Sequence, residues 1–359
     1  MSIHMNLLTR VGFYMDYEDV MLHDDFWSDD VWQAMCTQAS RWERVALEHL
    51  PDGTLRAQDP PLLFPALSQL SLSTRDLDKV PVDFFQNSPN MRCLSLSTYH
   101  TIAPLVLPSS WRLTTLTLKC GEGEMGQTRA SLAPCVQAIL ACSPTLEYLH
   151  VTALGFRLSR LPQNATVFPA LEDLILVGAC HLCALISAPN LVEACLDASS
   201  MPSPVTASDL MMFEYMVTKS SGCPKLESLS LRNVQQTPDL VIRCLRRIPS
   251  LTHLSVIDND GYEIPNFNTI ASMELVRALT RKPSSRKFLP NLTSLLLYFN
   301  EDDDDEDDYY MENRWDEEDS ELKIALDKMT MSRSEPQTTK KGLVLKRLEA
   351  FKTDCRGYY

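Results

Sequence analysis

The sequence predicts an α/β fold in which short parallel strands alternate with helices and loops. The first observation is a recurring phrase: proline, one residue, an aliphatic residue, two residues, a leucine, one residue and another aliphatic residue. Residues 65–72 carry one copy of it. The second observation is that apolar residues at helix-like spacing occupy the longer intervals between copies.

Ten copies of the phrase, two of them without the proline, precede residue 300. Their first apolar residues are at positions 42, 67, 91, 113, 146, 171, 191, 226, 251 and 292. Most intervals are 20 to 25 residues, and a period in the twenties with this phrase is the signature of leucine-rich repeats. Because the intervals are uneven, we predict an irregular leucine-rich-repeat solenoid. Its curved parallel sheet would form the concave side, with helices and loops on the convex side.

Each copy is expected to supply one short strand. Alternation along the strand places Leu70 and Leu72 on one face and Gln69 and Ser71 on the other. A single repeat cannot bury its leucine face, whereas stacked neighbours can. Proline suits the turn before the strand, because its missing N–H costs no hydrogen bond of the sheet there.

Helices are predicted in the longer intervals. The candidate ranges are 129–142, 207–219, 238–248 and 269–281, each apolar at helix-like spacing. Thr206 is a candidate N-cap for the second helix. Thr237, followed by Pro238 at the first helical position, is a candidate start for the third.

The charge pattern divides the chain. Residues 301–321 hold fourteen acidic residues and one base, Arg314, which is a net −13 of the chain's −14. Because eight consecutive acids repel one another and cannot be buried, we interpret this stretch as a solubilising insert. The alternative is an electrostatic contact with a basic partner or with the basic stretch 340–356.

Four segments follow from the charge and the repeats. We assign residues 1–39 to an acidic leader with a helix, 40–300 to the repeats, 301–340 to an acidic, largely disordered insert, and 341–359 to the last repeat strand and a tail.

The sequence predicts no enzyme and no catalytic, cofactor or metal site. Residues 121–126 read GxGxxG, but Glu122 and Glu124 would place negative charges where a pyrophosphate must sit. Residues 180–183, Cys-His-Leu-Cys, offer a CxxC pair with Cys195 beyond, yet no second pair follows at zinc-site spacing. The odd total of eleven cysteines argues against a disulfide framework.

Composition also limits the classes of partner and the cellular compartment that we expect. No apolar run reaches about 18 residues, and acidic residues stand where a signal peptide needs an apolar core. We therefore expect an intracellular monomer, cytoplasmic or nuclear, without a membrane segment. Nucleic-acid binding is disfavoured because no dense basic face is evident outside the carboxyl-terminal tail.

The residues between the leucines face away from the core and form the candidate binding surface. The amino-terminal half of this surface carries mainly serine and threonine, whereas larger and charged residues gather from position 148 onward. Such residues carry binding energy more often than serine does. The candidate partner-binding residues on the concave face are Tyr148, His150, Asp173, Glu193, Asp197, Arg232 and His253. For each, the alternative is a strand residue that is merely solvated.

Residues 38–47, QASRWERVAL, followed by irregular PxLxxLxL repeats, resemble the fungal leucine-rich-repeat F-box-like proteins of mushroom-forming species. The resemblance covers about residues 25–359. It implies a substrate-recognition subunit of a cullin-type ubiquitin ligase, in which the repeats hold the substrate and an amino-terminal F-box docks the Skp-type adaptor.

The amino-terminal segment departs from that pattern. Residues 1–30 are too short for an F-box and contain no proline, so no adaptor-binding residue carries over and the F-box itself is expected to be missing. The alternative hypothesis is an interaction scaffold or decoy receptor that lacks an F-box and acts without a ligase.

Overall fold

The computed structural model describes thirteen stretches of the chain. They are residues 3–7, 29–48, 61–74, 82–98, 105–120, 132–153, 162–198, 209–234, 236–258, 271–282, 288–299, 318–339 and 342–353. They fall into two compact units, unit 1 over residues 1–156 and unit 2 over residues 157–359. The GxGxxG run at 121–126, the candidate cap Thr206 and the acidic run 301–317 lie outside the described residues.

Unit 1 contains six parallel strands whose order in the sheet follows the chain. They are β1 (Ile3–Leu7), β2 (Trp42–Glu48), β3 (Gln69–Thr74), β4 (Cys93–Thr98), β5 (Thr115–Cys120) and β6 (Tyr148–Ala153). Helix α1 (Asp29–Cys36) precedes β2, and helix α2 (Ala133–Ala141) lies between β5 and β6. Strand β1 extends the sheet beyond the first repeat, where the sequence analysis predicted no strand.

Unit 2 also has six parallel strands in its main sheet. They are β8 (Asp173–Val177), β10 (Glu193–Asp197), β11 (Ser228–Arg232), β12 (His253–Ile257), β13 (Ser294–Tyr298) and β16 (Ala350–Thr353). Two short pairs accompany them, β7 (Thr166–Val167) with β9 (Ile186–Ser187) and β14 (Gln337–Thr338) with β15 (Val344–Leu345). The helices are α3 (Asp209–Lys219), α4 (Pro238–Leu245), α5 (Met273–Leu279) and α6 (Glu318–Arg333).

The α/β class with a large parallel sheet is thus confirmed. Burial alternates along the strands as the phrase predicts: in β4 and β5 every second residue is buried and the residues between are half-exposed. Leu94 and Leu116, which are partners in the sheet, are both 1% exposed or less. Neighbouring strands therefore stack leucine on leucine, so each repeat completes the core of the one before it.

A side-chain bond links successive repeats just before their strands. Where asparagine follows the proline of the phrase, its Nδ2 donates to the carbonyl of the proline one repeat earlier. The bonds run from Asn90 to Pro65, from Asn190 to Pro169 and from Asn291 to Pro249, at 2.7, 2.7 and 3.0 Å. Thr145 and Ser250 reach back in the same way, to the carbonyls of Leu113 and Leu226. The residue after the proline thus helps to fix the stacking of one repeat on the next.

The four predicted helices are present, with ends drawn in by up to four residues at a side. In unit 2, the helices α3, α4, α5 and α6 pack side by side in chain order. Thr237 is the residue before α4 and is extended, but its side chain makes no capping bond. Helix α5 is capped by Ser272, whose hydroxyl accepts from the N–H of Leu275 at 3.3 Å.

The acidic insert predicted for 301–340 contains a helix. Residues 318–333 form α6, although the sequence analysis expected largely disordered chain there. The physical reason lies in the second half of the segment, where lysines join the acids and apolar residues return at helical spacing. Leu326 and Met329 are fully buried, and Arg333 is 1% exposed. Burial of this stripe against α5 stabilises a helix that the charge count alone argues against.

An aromatic cluster fills the core of unit 1 next to the first repeat. Trp42 of β2, fully buried, contacts Trp32 of α1 and Phe64 with ring centroids 6.1 and 5.5 Å apart. Phe84 lies 5.9 Å from Trp32, and Phe85 lies 5.1 Å from Phe64. Tilted and edge-to-face aromatic pairs at these distances add to ordinary apolar burial. Trp42, which follows Arg41 in the run 38–47, is therefore a core residue that holds α1 to the repeats.

Arg333 attaches α6 to the rest of unit 2. Its guanidinium donates three hydrogen bonds to backbone carbonyls: Leu279 at the end of α5, at 2.7 Å, and Leu289 and Phe288, at 3.2 and 3.1 Å. Burial, together with the nearby charge of Arg281, lowers the pKa of Arg333. Arg281 itself bonds to the carbonyls of Glu335 and Lys346. Two arginines thus join α5 to α6 and the segment after it.

Candidate protein-binding surface

The outward face of the unit 1 sheet is lined by small polar side chains in register. Across β2 to β5, one row reads Arg44, Gln69, Cys93 and Thr115. The next row reads Ala46, Ser71, Ser95 and Thr117, and His150 of β6 extends it. Parallel strands lie about 4.8 Å apart, so each row is a regular ladder of side chains. The leucines of the same strands point into the core.

These two rows form a groove of about 400 Å³. Its lining residues lie on β2, β3, β4 and β5 and include the short side chains of the second row. Arg44, exposed at one end, is the single charged residue among those that line it. The groove exists because Ala46, Ser71 and Ser95 leave empty the space that larger residues would fill.

The outward face of the unit 2 sheet has a different character. Asp173 and Glu193 are in-register partners at the start of β8 and β10, and Asp197 and Arg232 are partners at the ends of β10 and β11. Glu172 and Glu227, both exposed, precede β8 and β11. The described residues at the start of these three strands therefore carry mainly carboxylates, and this part of the face is acidic.

The acidic residues influence one another. Burial, followed by the charge of Glu172, raises the pKa of the Asp173 carboxyl. Asp197 accepts a hydrogen bond from Nδ2 of Asn233 at 3.4 Å, which fixes its side chain beside Arg232. A cationic group from a partner would relieve the repulsion between Glu172 and Asp173.

The structure places the seven predicted partner-binding residues on strands, with side chains outside the leucine core. Tyr148 and His150 lie on β6 of unit 1, where Nε2 of His150 is 3.3 Å from the Thr152 hydroxyl. The other five, Asp173, Glu193, Asp197, Arg232 and His253, lie on β8, β10, β11 and β12 of unit 2. Glu193, Arg232 and His253 are exposed and the rest are half-buried. Their role in binding stays a prediction.

The Cys-His-Leu-Cys run forms a buried 3-10 helix, Cys180–Leu185. His181 is fully buried, with Nε2 3.5 Å from Oδ1 of Asp209 on α3. Burial raises the pKa of the Cys183 thiol, and it raises that of Cys223 to about 11. Such thiols remain protonated at neutral pH and pack as small apolar groups. Within the described part of the chain, no group of three His, Cys, Asp or Glu side chains is placed to hold a metal ion.

Among the described residues, no helix has both the length and the apolar character needed to cross a membrane. No protein-family model matches the chain, and no curated protein matches it either. The assignment of a function therefore rests on the repeat pattern, the two polar sheet faces and the sequence resemblance.

The groove is the feature that sequence reasoning missed. Large and charged side chains carry binding energy more often than serine does, so the sequence alone did not predict a site at the serine and threonine rows. The available signal was the repetition of small residues at one strand position, Ala46, Ser71 and Ser95, in consecutive repeats. On a parallel sheet that repetition produces a trough across the strands rather than a flat surface.

Proposed function

We propose that this chain is a non-enzymatic, protein-binding leucine-rich-repeat module. The supporting observation is that each repeat adds one parallel strand with its leucines buried and a polar face outward. In the solenoid that we infer, the outward face is the concave side and the helices lie on the convex side. Such repeat arrays bind partners along an extended surface because each repeat adds side chains in register.

The partner-binding residues in this proposal are the seven that the sequence analysis selected. Their alanine variants are expected to weaken partner binding without lowering the thermal unfolding temperature, since exposed strand residues contribute little to the core. A loss of stability that parallels the loss of binding would assign these residues to the fold instead.

Within this class we propose a substrate-recognition subunit of a cullin-type ubiquitin ligase, acting in the cytoplasm or nucleus as a monomer. The warrant is the resemblance around residues 38–47, which is analogy at the level of a family. The test is a quantitative pull-down of the chain from lysate of its own cells, scored for a Skp-type adaptor and a cullin. Near-stoichiometric recovery of both supports the ligase assignment.

One observation favours the alternative, an interaction scaffold or decoy receptor that works without a ligase. Helix α1 uses Trp32, 4% exposed, to complete the aromatic core beside Trp42. The tryptophan of this helix is thus buried against the repeats and is not exposed for contact with an adaptor. Recovery of another protein in the same pull-down, without adaptor or cullin, supports this alternative.

A further inference from the structure

We propose that the groove of unit 1 binds an extended, carboxylate-bearing segment of the protein partner. This inference rests on the proposed function and specifies the chemistry of the ligand at one site. Three features of the groove support it: its second row of short side chains, its charge and its length.

The second row of side chains in the groove suits a peptide backbone. Ser71, Ser95 and Thr117 present hydroxyl groups on short side chains at successive strands. Each hydroxyl both donates and accepts, so it can bond either the N–H or the C=O of an incoming chain. Short side chains also allow the backbone of that chain to approach the sheet closely. A ladder of such hydroxyl groups can bind the backbone of a peptide whatever its side chains are. The charge of the groove must therefore supply the selectivity.

The charge of the face selects a negative partner. Among the residues that line the groove, Arg44 is the one charged side chain. Lys119 lies on the same face of β5, and Glu48 occupies the position of β2 that is in register with Ser73. Arg92 and Arg112 are exposed and lie just before β4 and β5. Glu43 of β2 and Glu147, just before β6, lie at the same edge of the sheet. A guanidinium binds a carboxylate through two parallel hydrogen bonds, which makes Arg44 the anchor. The acidic part of the unit 2 face, at the start of β8, β10 and β11, would repel the same segment.

The length of the groove fits a short stretch of chain. Crossing β2 to β5 covers three strand intervals, about 14 Å, which is the span of about four extended residues. A nucleic acid fits less well, because Arg44 is the one cation that lines the groove and polyanion affinity depends on many phosphate contacts. The observations therefore favour a protein segment with one or two acidic side chains.

The test is selection from a random peptide display library on the full chain, followed by fluorescence anisotropy with the selected peptides after synthesis. We expect the selected peptides to be enriched in Asp and Glu and their binding to weaken with added salt. Arg44→Glu and Ser95→Trp should each reduce affinity at least about tenfold, the first by reversing the anchor charge and the second by filling the groove. Arg246→Glu is the matched control, since Arg246 is exposed after α4, away from the sheet face.

Four outcomes would overturn the inference. The first three are selection of neutral or basic peptides, affinity that neither Arg44→Glu nor Ser95→Trp changes, and selection of no peptide at all. Peptides that lose binding in Asp173→Lys or Glu193→Lys, but keep it in Arg44→Glu, would place the site on unit 2. That last result would overturn the groove assignment and leave the proposed protein-binding function intact, because the pull-down tests that function separately.

Discussion

Replacement of Arg333 by methionine is predicted to detach α6 from α5. The side chain is 1% exposed and donates to three backbone carbonyls, and its charge has no acidic partner among the bonds formed by its guanidinium. Methionine keeps most of the apolar stem but supplies no donor. The variant therefore removes the hydrogen bonds while leaving the volume of the core nearly unchanged.

The magnitude follows from opposing contributions. The Leu289 carbonyl keeps a second donor, the N–H of Leu292 at 3.4 Å. A buried carbonyl left without a donor costs about 1–3 kcal/mol, so loss of the bonds to Leu279 and Phe288 costs about 2–6 kcal/mol. Removing the buried cation also removes the free-energy cost of its desolvation, which offsets the loss by several kcal/mol. We expect a net destabilisation of about 1 kcal/mol, and Arg333→Lys should recover little of it because an ammonium group lacks the planar fork.

Two measurements check this prediction. Urea denaturation followed by circular dichroism gives the change in unfolding free energy, and hydrogen exchange reports local opening of residues 271–282 and 318–333. The control is Arg277→Met, the same substitution at an exposed position of α5. Equal or greater stability of Arg333→Met would refute the reasoning, since it would mean that desolvation of the cation outweighs its three bonds.

Three further predictions concern other parts of the fold. Trp32→Ala should destabilise unit 1 by about 3–5 kcal/mol because it opens the aromatic cluster, and unchanged urea midpoints would contradict that packing role. Asn190→Ala should cost about 1 kcal/mol through loss of the bond to the Pro169 carbonyl; a change below about 0.3 kcal/mol, within the usual range for exposed sites, would show that this inter-repeat bond contributes little. Glu214 has a lowered pKa, chiefly through its hydrogen bond with Arg243 of α4, so its contribution is present above its usual pKa of 4.5 and is lost as the pH falls through the folded-state value. Glu214→Gln should thus be less stable than the parent at pH 7 and nearly equal to it in acid, and a gap independent of pH would exclude this linkage.

The strands were predictable because the phrase carries two kinds of information at once. Its leucines specify the buried face and its proline specifies the turn, so the start of each strand follows from sequence alone. Leu94 and Leu116, for example, occupy equivalent positions in the phrase and are partners in the sheet. The helices between strands were also predictable in kind, although their ends were drawn inward, which is the usual uncertainty at helix termini.

Strand β1 and helix α6 were not predictable by the same reasoning. Residues 3–7 contain no proline and belong to no repeat, so their pairing with β2 depends on an available sheet edge rather than on a local pattern. Helix α6 follows a long acidic run, and the charge count concealed the stripe formed by Leu326, Met329 and Arg333. From the sequence, Arg333 would be assigned to the exposed face of the helix, because arginine side chains are rarely buried.

The candidate site shows why net charge is a poor guide to this protein's partners. Nearly all of the chain's net −14 comes from residues 301–321, so the net charge says little about either sheet face. The outward positions of unit 1 carry Arg44, Lys119 and Glu48, whereas those of unit 2 carry Asp173, Glu193 and Asp197, with Arg232 beside Asp197. Because attraction between exposed charges falls off within about 8–10 Å at physiological salt, a partner responds to the face it touches rather than to the whole chain. An acidic segment can therefore bind an acidic protein, and the salt dependence of that binding would report the local charge of unit 1.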